Sequence, residues 1–388
     1  MHGISRRAFL SQAALAGAAL SLDGRALFSA DYGPQVAGKE KLIVNSYRFF
    51  DLEMPMQELH TWITPIDLFF VRNHVSEPFA IDLDAWRLNV VGEVEHPLSL
   101  TMADLAKLAP STVTNTLECA GNGRSFFEPH APGVQWRRGA VGNARFTGPR
   151  LSDILQRAGV KPSGRHVAFK GLEEPPGKVP QFIRSIPIEK ATNPDTLVAL
   201  HMNGAPLLKH HGFPARALVP GWIGAASVKW LTEIRVIDRE FEGNFMKPGY
   251  RLPLHPVSPG GEVNPDDTAA ITALNVKSII AQPGEGARVG MRPLHISGAA
   301  WAGEQDVARV EVSTDEGKTW ATARLGRDQA KYAWRLWDYS WRPAAAGEYT
   351  LMSRATDASG RAQPASGFWN PSGYLWNGID RVKINVTA

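Results

Sequence analysis

Residues 112–117, Thr-Val-Thr-Asn-Thr-Leu, set β-branched side chains among polar ones, the pattern of a strand beside a polar site. Gly121-Asn122-Gly123 follows and predicts a sharp turn, because glycine adopts backbone angles that other residues avoid. Residues 86–91 alternate and predict another strand, as do residues 166–170 and 198–202. Two short helices are expected. One covers residues 99–105, with Thr101 as cap and Asp104 as the third-position acid; the other covers 151–158, closed by Gly159 ahead of Pro162. Beyond residue 270 the helical period disappears. Residues 307–314 alternate strictly, Asp315-Glu316-Gly317-Lys318 turns the chain into 319–321, and 332–341 and 348–355 read as further strands. Regular short strands joined by turns predict a β-sandwich. The chain therefore divides into a mixed α+β region, 31–250, a Pro- and Gly-rich linker, 251–269, and a sandwich, 270–388.

Residues 1–30 stand apart. Arg6-Arg7 followed by Phe9-Leu10 and an Ala/Leu-rich run too short to span a bilayer predicts a twin-arginine export signal and a periplasmic mature protein. No other stretch has the length and apolarity of a membrane span. The net charge of +4 includes Arg6, Arg7 and Arg25 against Asp23, so half of the excess belongs to this segment. That is no nucleic-acid footprint.

One cysteine in 388 residues excludes an internal disulfide, a covalent haem motif and a cysteine-held iron–sulfur cluster. Redox chemistry in this chain needs another cofactor and an outside electron partner. Cys119 stands where the strand meets the glycine turn, and Arg124 offers a positive charge that favours a thiolate, the form that ligates metals or attacks as a nucleophile. The alternative is a small buried hydrophobe. Arg72 and His74 close an apolar run. Gly221 and Gly224 permit close backbone approach, and Ser227 and Lys229 add a hydroxyl and a cation, a combination suited to a phosphate or pterin ligand. The neighbours His210 and His211 are poorly placed to share a metal if they lie on a strand.

Taken in order, F-V-R-N-H, E-C-A-G-N, H-G-F-P-x-R and S-V-K-W-L resemble the sulfite oxidase family of molybdenum enzymes. The resemblance implies an α+β domain holding molybdenum-molybdopterin, then an immunoglobulin-like β-sandwich that pairs two chains into a homodimer. It implies Cys119 as the metal ligand. Phe70, Val71, Arg72, Asn73, His74, Glu173, His211, Arg216, Ser227, Val228 and Lys229 are implied as cofactor contacts. Arg72, Arg124 and Tyr250 are implied as the catalytic pocket, with Trp136 as a further pocket residue. The implied reaction is oxidation of sulfite to sulfate, with electrons passed to an external c-type cytochrome and no haem in this chain. Another sulfur compound, such as sulfane sulfur, is the alternative substrate, and a non-enzymatic exported binding protein is the alternative of another class. The chain departs from the family pattern at Gly123, where many members carry a second arginine, and at Ser372 of W-N-P-S-G, where an arginine is common.

Overall fold

A computed structural model describes residues 36–388. The predicted export signal lies outside the described residues. Among those described, no helix is long and apolar enough to cross a membrane.

The first region is built on two sheets. A mixed five-stranded sheet runs Leu98–Leu100, Leu88–Gly92, Leu231–Ile237, His166–Gly171, Ile183–Pro187, and only the Leu88–Gly92/Leu231–Ile237 pair is parallel. Thr101 caps the helix Met102–Ala106 as expected: its hydroxyl accepts from the Asp104 N–H while Asp104 reaches back to the Thr101 N–H. The helix Leu151–Ala158 buries Leu151, Ile154, Leu155 and Ala158, one face of a 3.6-residue period, and ends on left-handed Gly159. The second sheet, antiparallel, runs Ala205–Pro206, His201–Met202, Val141–Pro149, Pro110–Glu118. Its last strand sinks from exposed Pro110 to buried Glu118 and so delivers Cys119 to the interior.

Two sequence expectations change here. Residues 198–202 are not one strand. Leu197–Ala199 pairs with Arg216–Leu218, whereas His201–Met202 pairs with Val141–Pro149, and the chain changes sheet at Leu200, whose N–H bonds to the Thr147 carbonyl. A nearly continuous buried run carries no period that would mark the break. The strand expected over 332–341 begins at Arg335. Tyr332 instead bridges to Asn115 in the first region and donates its hydroxyl to Asp195.

The sandwich faces a four-stranded sheet (Lys277–Gln282, Leu294–Trp301, Arg335–Trp341, Arg324–Leu325) against a five-stranded one (Ala287–Gly290, Asp380–Thr387, Gly347–Asp357, Val307–Ser313, Ala321–Thr322). Ile280, Ile296, Val310, Val312, Trp337, Leu351 and Ile384 fill the space between. The stretch before it folds its ends together, Arg251–Pro253 antiparallel to Thr268–Ala270.

Lys277–Gln282 is buried on both faces, and its polar residues Lys277 and Ser278 are buried with partners: Lys277 Nζ donates to Glu118, and the Ser278 N–H donates to Gln363 Oε1. Ile280 turns into the sandwich, while Ile279 and Ala281 join the core of the first region with Ala120, Trp222 and Leu274. At the centre of this interface lies Glu118. Its Oε1 accepts from Lys277 Nζ at 2.5 Å and Asn122 Nδ2 at 2.9 Å, and its Oε2 from Trp301 Nε1 at 2.8 Å. Removing one partner of such a pair strands a buried charge, whereas neutralising both does not. Lys277→Met should therefore destabilise the protein by about 3–5 kcal/mol, and Glu118→Gln added to it should recover part of the loss, measured by urea unfolding.

Candidate active site

Cys119 ends its strand with its N–H on the Ala140 carbonyl, and its own carbonyl accepts from the Asn122 N–H. Asn122 Oδ1 accepts from the Ala140 N–H, so the turn is held from both sides. Gly123 has φ +92°, and a Cβ there would lie 2.6 Å from the Trp376 ring. Arginine at this position is thus excluded both by backbone conformation and by the sandwich loop.

Two cavities meet at Cys119. The larger in total empty space, about 740 Å³ against about 620 Å³ with the parts open to solvent included, is lined by ten of the sequence-predicted cofactor residues: Phe70, Arg72, Asn73, His74, Glu173, His211, Arg216, Ser227, Val228 and Lys229, together with Cys119 and Tyr250. Val71 is the exception. Its side chain packs in the main core and its N–H and C=O both pair with Leu52, so a residue flanked by pocket residues points away from the pocket. The smaller cavity holds Arg72, His74, Cys119, Arg124, Trp136, Asn244, Phe245, Gly249, Tyr250 and Tyr374.

The larger cavity presents donors. Arg216 gives Nη1 to the His211 carbonyl and Nη2 to the Ser227 carbonyl, leaving Nε buried without a partner, and burial pulls its value down to about 10. Lys229 Nζ reaches Asn73 Oδ1 and, at 2.9 Å, the His210 carbonyl; burial pulls it down to about 7. The Ser227 hydroxyl accepts from the Val219 N–H and keeps its own proton to donate. His210 and His211 lie on a short 3-10 turn rather than a strand, and their ring nitrogens take separate partners: Glu77 for His210 Nδ1, Lys39 for His211 Nε2. Glu173 Oε2 is buried and unpartnered.

The smaller cavity is cationic and aromatic. Arg72 pairs with Asp51 at 3.1 Å. Arg124 donates Nε to the Ser372 carbonyl at 3.0 Å and Nη1 to the Val134 carbonyl at 2.8 Å, leaving Nη2 without a partner among the described residues. Ser372 therefore acts on this chain's own pocket through its backbone. The Trp136 N–H is fully buried and unpartnered. Tyr250 has φ +55°, shares a hydrogen bond with His74 Nε2, and is held protonated because burial pushes its phenol well up. Burial likewise holds His74 well below the usual imidazole value, so its ring is neutral. Arg124 does pull the Cys119 thiol toward the thiolate, as expected, but the net direction is the opposite. Burial pushes the thiol up, and Arg72 and then Arg124 oppose this without overcoming it.

Three residues here carried no sequence signal. Tyr374, from the sandwich, stacks on Tyr250 at 5.1 Å and 10°. Arg124 lies over Tyr374 at 5.3 Å and Arg184 over Tyr250 at 4.8 Å, completing a cation–ring–ring–cation ladder. Lys39 is buried behind His211. Each acts across a long separation in sequence, beyond the reach of periodicity.

The geometry has counterparts in known proteins. Residues 74–245 match a family model described as oxidoreductase molybdopterin binding domain, and 268–387 match one described as Mo-co oxidoreductase dimerisation domain. The chain is 39% identical to sulfite oxidase of Gallus gallus, over 83% of this chain and 73% of that one. It is 32% identical to sulfite oxidase of Arabidopsis thaliana, over 86% and 91%. It spans 61% of the length of the mitochondrial sulfite oxidase of Homo sapiens, at 38% identity over 83% of this chain. The crystal structure of the sulfane dehydrogenase SoxCD from Paracoccus pantotrophus superposes with a TM-score of 0.75 at 30% identity, covering 95% of this chain and 96% of that one.

Glu173 yields a pH prediction. Burial pushes its value from 4.5 up to about 7. While both folded and unfolded states are protonated it has no effect; once the unfolded state ionises, the folded state lags and stability falls. The ligand-free protein should lose up to about 3 kcal/mol as pH rises through this window. Glu173→Gln should abolish that loss, checked by urea midpoints at about pH 4 and about pH 8.

Proposed function

The chain belongs to the sulfite oxidase family of molybdopterin enzymes, and on that premise we propose that it oxidises sulfite to sulfate at a molybdenum-molybdopterin centre and passes the electrons to an external c-type cytochrome. The observation that carries this reading is the meeting of two cavities at a single thiol, one rich in donors and one lined by Arg72 and Arg124.

The larger cavity fits the cofactor. A phosphate-bearing pterin asks for cations and free N–H groups, and the unpartnered Arg216 Nε, Lys229 and the Ser227 hydroxyl supply them. Glu173, whose carboxyl burial pushes up to about 7, matches the polar edge of a heterocycle. Cys119 offers the one soft protein ligand, and the cofactor's own sulfurs suit the same metal. When bound, the molybdenum centre supplies oxygen-atom transfer to sulfur and takes up two electrons.

The chain's own residues do the rest. Sulfite and water become sulfate, two protons and two electrons. Arg72, with Asp51 fixing its direction, and the free Nη2 of Arg124 bind the dianion beside Cys119. The buried Trp136 N–H adds a donor. Tyr250 stays a neutral phenol through the turnover and offers the anion a hydrogen bond instead of a like charge. Its ring, clamped between Tyr374 and His74, cannot swing away when the anion leaves.

A second substrate reading has support of its own. The match to a sulfane dehydrogenase extends over nearly all of both chains, and Trp136, Phe245, Tyr250 and Tyr374 give the smaller cavity more aromatic surface than a small oxyanion needs. Cytochrome c reduction with sulfite, with thiosulfate and with a persulfide substrate discriminates the two. The 268–387 match supports a homodimer, and the Arg6-Arg7-Ala8-Phe9-Leu10 stretch supports twin-arginine export to the periplasm.

Cys119→Ser replaces a soft thiolate with a hard hydroxyl, so sulfite turnover should fall by orders of magnitude while circular dichroism stays unchanged. Turnover at the parental rate in a cofactor-loaded variant would end the reading. Arg124→Gln removes a charge-assisted contact to the dianion and should raise the KM for sulfite roughly ten- to a hundred-fold. Steady-state kinetics measure this directly.

A further inference from the structure

Lys39 is a charged side chain only 2% exposed, held in a turn ahead of the first strand, and no step above uses it. Its Nζ donates to the carbonyls of Ile66 and Phe69 and lies 2.8 Å from His211 Nε2. The two carbonyls can only accept. A protonated Lys39 therefore has three N–H groups and three acceptors, the third being a ring nitrogen.

The consequence falls on His211. Burial, with Lys39, Lys229 and Arg216 nearby, holds its imidazole well below the usual range, so the ring is neutral and carries one N–H. If Nε2 accepts from Lys39, that hydrogen sits on Nδ1. Nδ1 has no protein partner among the described residues, and His211 lines the larger cavity. The rest of the ring is fixed: Phe69 meets it edge-on at 5.4 Å. The other groups offered to the cavity nearby, Arg216 Nε, Lys229 and the Ser227 hydroxyl, are donors too.

We infer that Lys39 is a positioning residue: its ammonium selects the tautomer of His211, so that the cavity is met by an Nδ1–H donor for an anionic group of the cofactor. This rests on the reading of the larger cavity as the molybdopterin site. Without Lys39, the ring is free to place its hydrogen on Nε2 against the vacated Ile66 and Phe69 carbonyls, and a lone pair then faces the anion. A neutral Lys39 does the same by accepting from Nε2–H. Burial pulls Lys39 down to about 7 and Asp67 pulls it back up. An anion beside Nδ1 favours the arrangement in which Lys39 keeps its third proton, so cofactor and lysine stabilise one tautomer together.

The test reads the ring itself. Long-range ¹⁵N spectra of the cofactor-free protein at about pH 6, below the Lys39 value, assigned with His211→Gln, report which nitrogen carries the hydrogen. The expected result is Nδ1–H in the wild type and a shift to Nε2–H in Lys39→Met, with molybdopterin affinity of the variant lower by about ten-fold. Nε2–H in the wild type overturns the inference, and this measurement needs no variant that folds. An Nδ1–H ring in Lys39→Met, or a shifted ring with unchanged cofactor affinity, overturns it equally. A wild type that takes up no molybdopterin refutes the cavity assignment instead, and the spectrum of the cofactor-free protein still decides whether Lys39 sets the tautomer.

Discussion

The buried carboxylate of Glu118 is the constraint from which the rest of the structure follows. It sits one residue before the lone cysteine, and its oxygens are shared among Lys277 and Trp301 from the sandwich and Asn122 from the turn. A carboxylate this deep is tolerable only when hydrogen-bond donors meet both of its oxygens. The three donors come from two regions of the chain, so the docking of the sandwich, the shape of the turn and the location of the thiol are one problem with one solution. Lys277 also donates to the Asn122 carbonyl, which ties the same cation to the backbone of the turn. The apolar packing of Ile279, Ala281, Trp301 and Trp334 around this network keeps water away from it and raises the cost of any other arrangement.

Much of the site was readable in the chain because its residues are local. The strand into Cys119, the glycine turn, the capped helix Met102–Ala106 and the runs around His211 and Ser227 each announce themselves within about a dozen residues through periodicity or glycine chemistry. Ten of the eleven expected cofactor residues line one cavity, and the Val71 side chain turns away from it for a local reason, since neighbouring side chains on an extended backbone face opposite ways. What the chain concealed is long-range. Tyr374 lies 124 positions from Tyr250 in sequence yet stacks on it. Lys39 meets His211 across 172 positions. The change of sheet at Leu200 is invisible because both sheets bury the same kind of side chain there. The pull of Arg124 on the thiol was readable, but the burial that outweighs it belongs to the fold.

The two cavities divide the electrostatic work. In the larger, burial weakens each cation's hold on its proton, so Lys229 and Arg216 act as much by directed N–H groups as by charge. In the smaller, Arg72 and Arg124 are anchored by Asp51 and by carbonyls, and the aromatic ladder from Arg124 through Tyr374 and Tyr250 to Arg184 fixes the remaining geometry. Tyr250 belongs to both, in a left-handed backbone conformation that costs energy for a tyrosine and is held by its neighbours.

Every residue lining the larger cavity comes from positions 69–250, whereas the smaller one takes a wall, Tyr374, from the sandwich. The cofactor side of Cys119 is thus walled by the first region alone, while the reaction side closes only where the sandwich reaches over it, so a change in the loop that carries Tyr374 alters the lining of the smaller chamber and removes nothing from that of the larger.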